Sequence, residues 1–460
     1  MPDTPAPTPA SRPAPRWLTH TAVGLACLAL HAGTQAESLP EAISVALTLH
    51  PQVLGARRNA EAIRHEVTGA ASQMNMRFGI IAEPGYGYQR GQGRNRNSGD
   101  LGVQALKPIY DGGRTDNETD RQRARLDSAN FGTEASRDDI AMRVADAYIE
   151  VVKQLELLRL AHDYVNGIQA LQKRVQQIVK FDKGRGYDLL QTNSRLSQAQ
   201  ITLADREGQL AEAREALNQL VGQPVRSVNA PTPPGAPIRT LKEAMELLND
   251  HPAIRARQAE VNAARKAAAV ANAWTKPTIN VRARVTSPHD INGQRQWFGG
   301  YDVGLVTDWS PFDGGVGAAA AAAANAQVLT AEEAVASTRQ QLQTDVARHW
   351  TQIKAREGRV DTRTGLVEDT RRVRAAYWEQ FQIGKRSIID LLNAENEIYA
   401  ARLGAATEKQ ELNQARYRLL GSTGQLLPRL GIAPLPPITD KEPDNRPTTS
   451  NGIPPLPELR

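Results

Sequence analysis

The sequence predicts a mostly α protein with a transmembrane β-barrel part: a long antiparallel coiled-coil α-barrel plus four strands per protomer, with an internal twofold repeat. Three observations carry that prediction. The first is duplication, because landmarks recur in the same order at a spacing near 200 residues. Leu39-Pro40-Glu41-Ala42 returns as Leu241-Lys242-Glu243-Ala244, and His50-Pro51 as His251-Pro252. Pro108-Ile109-Tyr110-Asp111-Gly112-Gly113 returns as Pro311-Phe312-Asp313-Gly314-Gly315, Val144–Tyr148 as Val346–Trp350, and Phe181-Asp182-Lys183-Gly184 as Phe381-Gln382-Ile383-Gly384. That period far exceeds the roughly 20–50 residues of solenoid repeats, so the chain is a doubled half and not an array.

The second observation is a pair of long proline-free stretches, 109–223 and 312–427. In the first, Ile140, Val144, Tyr148, Val151, Leu155, Leu158, Ala161, Val165, Ile168, Leu171, Val175 and Ile178 recur in steps of three and four. Such a seam makes long helices supercoil against neighbours. The third is a change of period at Thr278–Thr286, where Ile279, Val281, Ala283 and Val285 alternate with Asn280, Arg282 and Arg284. That alternation is a strand with one apolar and one charged face.

In chain order, Arg12 and Arg16 precede the apolar run Leu18–Ala32, and small or polar residues follow to Ala36. Residues 1–36 therefore read as a signal peptide cleaved before Glu37. The single cysteine, Cys27, lies inside that run, so the mature chain offers no thiol chemistry; the lipoprotein reading of Gly24–Cys27 fits poorly because apolar residues continue beyond it. The first repeat spans 37–222, with strands about 79–89 and 100–110 and long helices about 113–181 and 187–221. Arg90–Ser98 is read as the loop between those strands. Residues 223–240 form a proline-rich connector, and the second repeat spans 241–427, with strands about 277–287 and 299–310 and long helices about 315–381 and 387–421. Residues 428–460 read as a proline-rich, partly disordered tail.

Composition narrows the function. Only 5 % of the chain is aromatic, which suits elongated helices better than compact cores. Losing two arginines and one aspartate with the leader lowers the net charge from +6 to +5, and the remaining cations are scattered among carboxylates without aromatic interleaving. Nucleic acid is thus not an expected partner. No phosphate loop, metal-binding motif or catalytic triad context is present, so no enzyme, metal or cofactor is expected. Asp111-Gly112-Gly113 and Asp313-Gly314-Gly315 read as strand-to-helix turns, Gly184 and Gly384 as hairpin-tip glycines, and His50 and His251 as helix starts before proline. Four strands cannot close a barrel in lipid, so other chains must complete it or the strands stay in water; a closed ring of copies is one solution, and the sequence does not fix how many. A soluble periplasmic coiled-coil scaffold is the alternative reading.

These features resemble the TolC family of outer-membrane channel proteins over roughly residues 37–435, most specifically in Phe381-Gln382-Ile383-Gly384-Lys385-Arg386-Ser387-Ile388-Ile389-Asp390-Leu391-Leu392-Asn393-Ala394. The resemblance implies a homotrimer whose twelve-stranded barrel sits in outer-membrane lipid and continues as a periplasmic tunnel. It also implies a periplasmic adaptor (membrane fusion protein) and an inner-membrane ABC or other export transporter, hence an exit duct for polypeptide in type I secretion or for small molecules. By position in the motif, Phe381 matches an aromatic gate residue, Arg386 an arginine linking neighbouring helices, and Asp390 a ring of carboxylates, with Asp188 as its first-repeat partner. Asn393 stands where a second carboxylate ring is expected, which predicts a less negative pore.

Overall fold

The computed structural model describes residues 38–89, 94–225, 227–235, 237–290 and 300–440. The signal peptide, Cys27 and the last part of the tail lie outside them.

Each repeat opens with helices that meet at a His-Pro step. α1 (Leu39–Leu49) ends at His50, whose ring Nδ1 accepts from the Gln52 amide at 3.2 Å and caps α2 (Pro51–Ala71). His251 does the same for the second repeat: it follows α5 (Leu241–Glu246) and a short 3-10 turn, and accepts from Ala253 at 3.2 Å to start α6 (Pro252–Asn272). Proline suits the first helical position because its missing N–H has no intrahelical partner there.

Four strands follow in two hairpins: β1 (Arg77–Gln89) and β2 (Arg94–Tyr110), then β3 (Thr278–Asp290) and β4 (Gly300–Asp308). They form one antiparallel sheet in the order β1-β2-β3-β4, so β1 and β4 are open edges. The register aligns the apolar residues in rows. Ile80 faces Val103, Val103 faces Val285, and Val285 faces Tyr301; Phe78, Ala105, Ala283 and Val303 make the next row. On the other face Gln104, Arg284 and Asp302 align, and Arg284 Nε donates to Asp302 at 2.9 Å. Ile80, Val103, Val285, Tyr301, Val303 and Leu305 are all more than half exposed, an apolar band that water would not favour. At its edge Lys107 pairs with Val281, and its ammonium reaches the Met74 carbonyl at 2.5 Å, keeping the charge out of the band.

Strand boundaries differ from those expected by a few residues, with β1 starting at Arg77 and β3 running to Asp290, and two of the differences are informative. β2 begins at Arg94, so most of the expected Arg90–Ser98 loop is strand, with Asn95 opposite Tyr88 and Ser98 opposite Gly85. The ladder bonds backbone groups, so a run of Asn, Arg and Ser side chains does not interrupt it. β4 stops at Asp308, and Trp309 lies just past it with its indole N–H donating to the Thr275 carbonyl at 3.1 Å.

The long helices are α3 (Arg114–Phe181) with α4 (Gly186–Val221), and α7 (Val316–Gln382) with α8 (Ile388–Ser422). At ~1.5 Å per residue, α3 is about 100 Å long. α3 packs against α2 and α4 on one side and against α6 and α8 on the other; α7 packs on α6 and α8. The result is a curved layer with α2 and α4 at one edge and α7 at the other. Along the α3 seam Ile140, Val144, Tyr148, Ala161 and Ile168 are fully buried. Gln154, in contrast, brings an amide into the packed surface and donates to Glu150 at 2.8 Å.

A belt crosses one face of this layer. The connector is tied by two buried tyrosines: Tyr148 Oη accepts from the Asn229 amide at 2.9 Å, and Tyr417 Oη donates to the Thr232 carbonyl at 2.9 Å. Asn413 adds a bond to the Pro231 carbonyl. The tail read from residue 428 onward starts with the end of a short helix, α9 (Leu426–Arg429), and then runs as a strap up α3. Arg137 donates to the Ala433 carbonyl at 2.8 Å, and Leu435 N–H donates to Glu134 at 3.0 Å. Asn130 both donates to and accepts from the Ile438 backbone, and Arg123 pairs with Asp440 at 3.0 Å. Proline-rich sequence lacks amides for a ladder, so side chains of α3 supply the partners.

Candidate functional site

The strand-to-helix turns use one device twice. Asp111 accepts from the amides of Gly113 (2.9 Å) and Thr115 (2.7 Å), capping α3, while Gly112 and Gly113 take φ of 71° and 81°. Asp313 accepts from Gly315 (3.0 Å) and Gly317 (2.7 Å) at the start of α7, with Gly314 and Gly315 at φ 70° and 95°. An aspartate cap satisfies orphan helix amides and favours the positive end of the helix dipole. The two glycines supply the left-handed turn that side-chain-bearing residues resist. Among the described residues, no group of three or more His, Cys, Asp or Glu is placed to hold a metal ion.

The hairpin tips bring together most of the residues singled out from the motif. In the second hairpin Gly384 has φ 75°, as a tight turn requires. Gly184 does not: it lies in a 3-10 turn, Lys183–Arg185, closed by Asp182 accepting from its amide at 3.0 Å. The first tip is thus built by an aspartate cap in place of a left-handed glycine.

Asp390 is the third residue of α8 and forms a reciprocal cap with Ser387: its carboxylate accepts from Ser387 N–H at 3.1 Å and from Ser387 Oγ at 2.9 Å, and its own amide donates back at 3.3 Å. The Ser387 amide and hydroxyl, helped by the charge of Arg386, hold its carboxyl below the usual aspartate value. Arg386 lies 3.9 Å from Asp390, donates to Gln380 at 3.0 Å, and stacks over Tyr377 at 4.2 Å. All of these partners belong to its own hairpin. Within the one chain Asp188 is held by Arg185, which pairs with it at 2.9 Å and sits 5.3 Å over the Phe381 ring. Arg185, unremarked in the sequence, is what joins the two tips; its spacing of three from Asp188 was the available signal. Asn393 accepts from Arg195 of α4 at 3.3 Å, a second tie between hairpins.

Phe381 departs most from its expected gate role. It is 5 % exposed, packed with Ile168, Ile388 and Leu391, and 5.9 Å from the Trp378 ring. A side chain held inside one protomer does not line an opening. Its repeat partner Phe181 is 93 % exposed.

Among the described residues no helix is long and apolar enough to cross a membrane. The apolar band of the sheet is the surface available for lipid. In comparison with known proteins, the chain is 20 % identical over 333 residues to the outer membrane efflux protein BepC of Brucella suis biovar 1 (strain 1330), covering 72 % of this chain and 73 % of that one. Its fold is similar to the outer membrane protein VceC of Vibrio cholerae, with a TM-score of 0.71 at 17 % identity over 84 % of this chain and 96 % of the other. It is also similar to the CmeC outer membrane channel of Campylobacter jejuni, with a TM-score of 0.71 at 14 % identity over 84 % and 86 %. The family described as "Outer membrane efflux protein" matches residues 42–223 and 244–425. Duplicated hairpins, a sheet with a lipid-compatible face and helices that reach far beyond it thus have one common account, which replaces the soluble-scaffold alternative: the chain belongs to the outer membrane efflux protein family, whose members are outer-membrane channels extending into the periplasm.

Proposed function

We propose that three copies of this chain close into one barrel and one tunnel, and that the tunnel is the exit duct for small molecules delivered by an inner-membrane transporter through a periplasmic adaptor. The observation that carries the reading is the four-stranded sheet with two open edges beneath a helical layer that also has two open edges. Unpaired backbone groups are not tolerated against lipid, so β4 of one copy must find β1 of the next. The same operation brings α7 against α2 and α4 of the neighbour, and twelve strands make a closed cylinder. The belt of connector and strap occupies one face of the helical layer, which leaves the other face to line the tunnel.

The efflux named in the family and in its relative BepC supports small molecules as the cargo. Polypeptide export remains the other arm of the test. Mass measurement in detergent should give a trimer; a folded, closed monomer refutes the assembly. Val285→Arg places charge inside the apolar band and costs roughly 2–4 kcal/mol near a bilayer midplane, whereas Arg282→Val on the opposite face leaves assembly intact. Deleting the gene should raise sensitivity to toxic small molecules with an unchanged set of secreted proteins. Loss of one secreted protein with unchanged sensitivity overturns the cargo assignment.

A further inference from the structure

Beneath the C-terminal strap lies a cavity of about 470 Å3, the size of a small-molecule site. Its floor is the face of α3 that carries Glu134 and Asp138, and its roof is Leu427, Ile432, Leu435 and Ile438. Most of the wall is apolar, with one buried charge at depth. Asp138 is 8 % exposed and, among the described residues, has neither a hydrogen bond nor an ion pair. The guanidinium beside it is already engaged: Arg137 pairs with Glu134 at 2.5 Å and donates to the Ala433 carbonyl. An unpartnered carboxylate at the bottom of an apolar cavity is costly, and a bound donor would remove that cost.

We propose that this cavity binds a small organic ammonium compound, whose nitrogen donates to Asp138 while its apolar body packs under Leu427, Ile432 and Leu435. The other charged groups around the cavity do not compete for that role. Asp250 and Arg255, at the start of α6, are exposed, and Arg255 lies 4.5 Å over the Phe131 ring; Arg57 of α2 is half-buried. Rim charges in water are screened, so the deep carboxylate sets the sign of the preferred ligand. An anion would meet it unscreened. Burial first, then the charge of Glu134, push Asp138 up to about 7 against the opposing pull of Arg137, so the carboxylate gains its charge across neutral pH.

The test uses the full chain in lipid nanodiscs and calorimetric titration with phenethylammonium, which is charged at both pH 6 and pH 8. Binding should be about tenfold tighter at pH 8, because Asp138 passes from roughly one-tenth to nine-tenths ionised over that interval. Asp138→Asn should lose both the affinity and its pH dependence. Leu435→Trp, which fills the cavity from the roof and keeps Asp138, should also abolish binding, so the outcome does not depend on one variant folding. Neutral 2-phenylethanol should bind weakly and without pH dependence. The proposal fails if phenethylammonium shows no saturable binding, if Asp138→Asn binds it as tightly, or if 3-phenylpropionate binds as well.

Discussion

The two hairpins have almost equal long helices, 68 residues in α3 and 67 in α7, yet α3 buries 24 of its residues and α7 only six. Both descend from one repeat unit. The difference comes from position: α3 lies inside the helical layer with neighbours on both sides, and α7 lies at its edge. Duplication set the lengths, and the environment then chose the side chains. α7 starts with a run of alanines where α3 has Asp, Glu and Arg, and it leaves Leu329 and Leu366 at 63 % and 44 % exposure. An edge so little buried within one copy is what a second copy would cover. The tips diverged likewise, with a buried Phe381 answering an exposed Phe181.

The largest test of this contrast lies at those phenylalanines. Phe381→Ala should cost about 3–5 kcal/mol and lower the detergent melting temperature, and Phe181→Ala should leave it unchanged. Equal effects would mean that the tips pack alike in the assembled protein. Next, Gly384→Ala forces a side chain into a left-handed turn and should cost about 1–2 kcal/mol, whereas Gly184→Ala asks only that the Asp182 side chain, 3.2 Å from the new Cβ, shift slightly. Denaturant unfolding of the two variants decides it. Leu366→Asp on the α7 edge should leave helix content intact and weaken the trimer on native mass measurement; a normal trimer would show that this edge is not an interface.

The smallest effect concerns charge at the tips. Asp390→Asn keeps the helix cap but removes the carboxylate, and should reduce cation selectivity in planar bilayers with little change in stability. Because the folded-state pKa of Asp390 is depressed, its charge persists above the ordinary aspartate value and is lost only as pH falls below it. Selectivity in the parent channel should therefore survive to pH values below about 4. Selectivity that fades nearer neutral pH would assign it to another group.

What the sequence made legible was periodic. Ile140, Val144, Tyr148 and Ile168 could be placed in the core because a seam repeats its spacing, and Val281, Ala283 and Val285 could be placed on one face because a strand alternates. Strand ends were less legible, since backbone pairing at Asn95 and Ser98 leaves no mark in side-chain hydropathy. At the tips, spacing put Arg386 and Asp390 on one face, and they lie 3.9 Å apart. The burial of Phe381 and the role of Arg185 depend on contact between residues almost 200 positions apart, which no local pattern encodes. Asp138 stayed hidden for a related reason: its burial is made by a strap some 300 residues further along the chain, which no local pattern ties to α3. One clue was present, because Arg137 sits three residues before Ile140, in step with the seam, where a charge is out of place.

That strap also orders events in time. Asn130 emerges from the ribosome 308 residues before Ile438, the partner whose backbone it clasps. Closing so long a loop carries an entropic cost that only the finished chain can meet, and distant contacts of this kind form late. A chain truncated or stalled before Ile438 can still wind its helices, but it leaves the cavity roof unfinished and the Asn130 amide without its mate. A strap made so late thus works as a checkpoint, by which a protomer that has been extended past Ile438 differs physically from one that has not before any two copies meet.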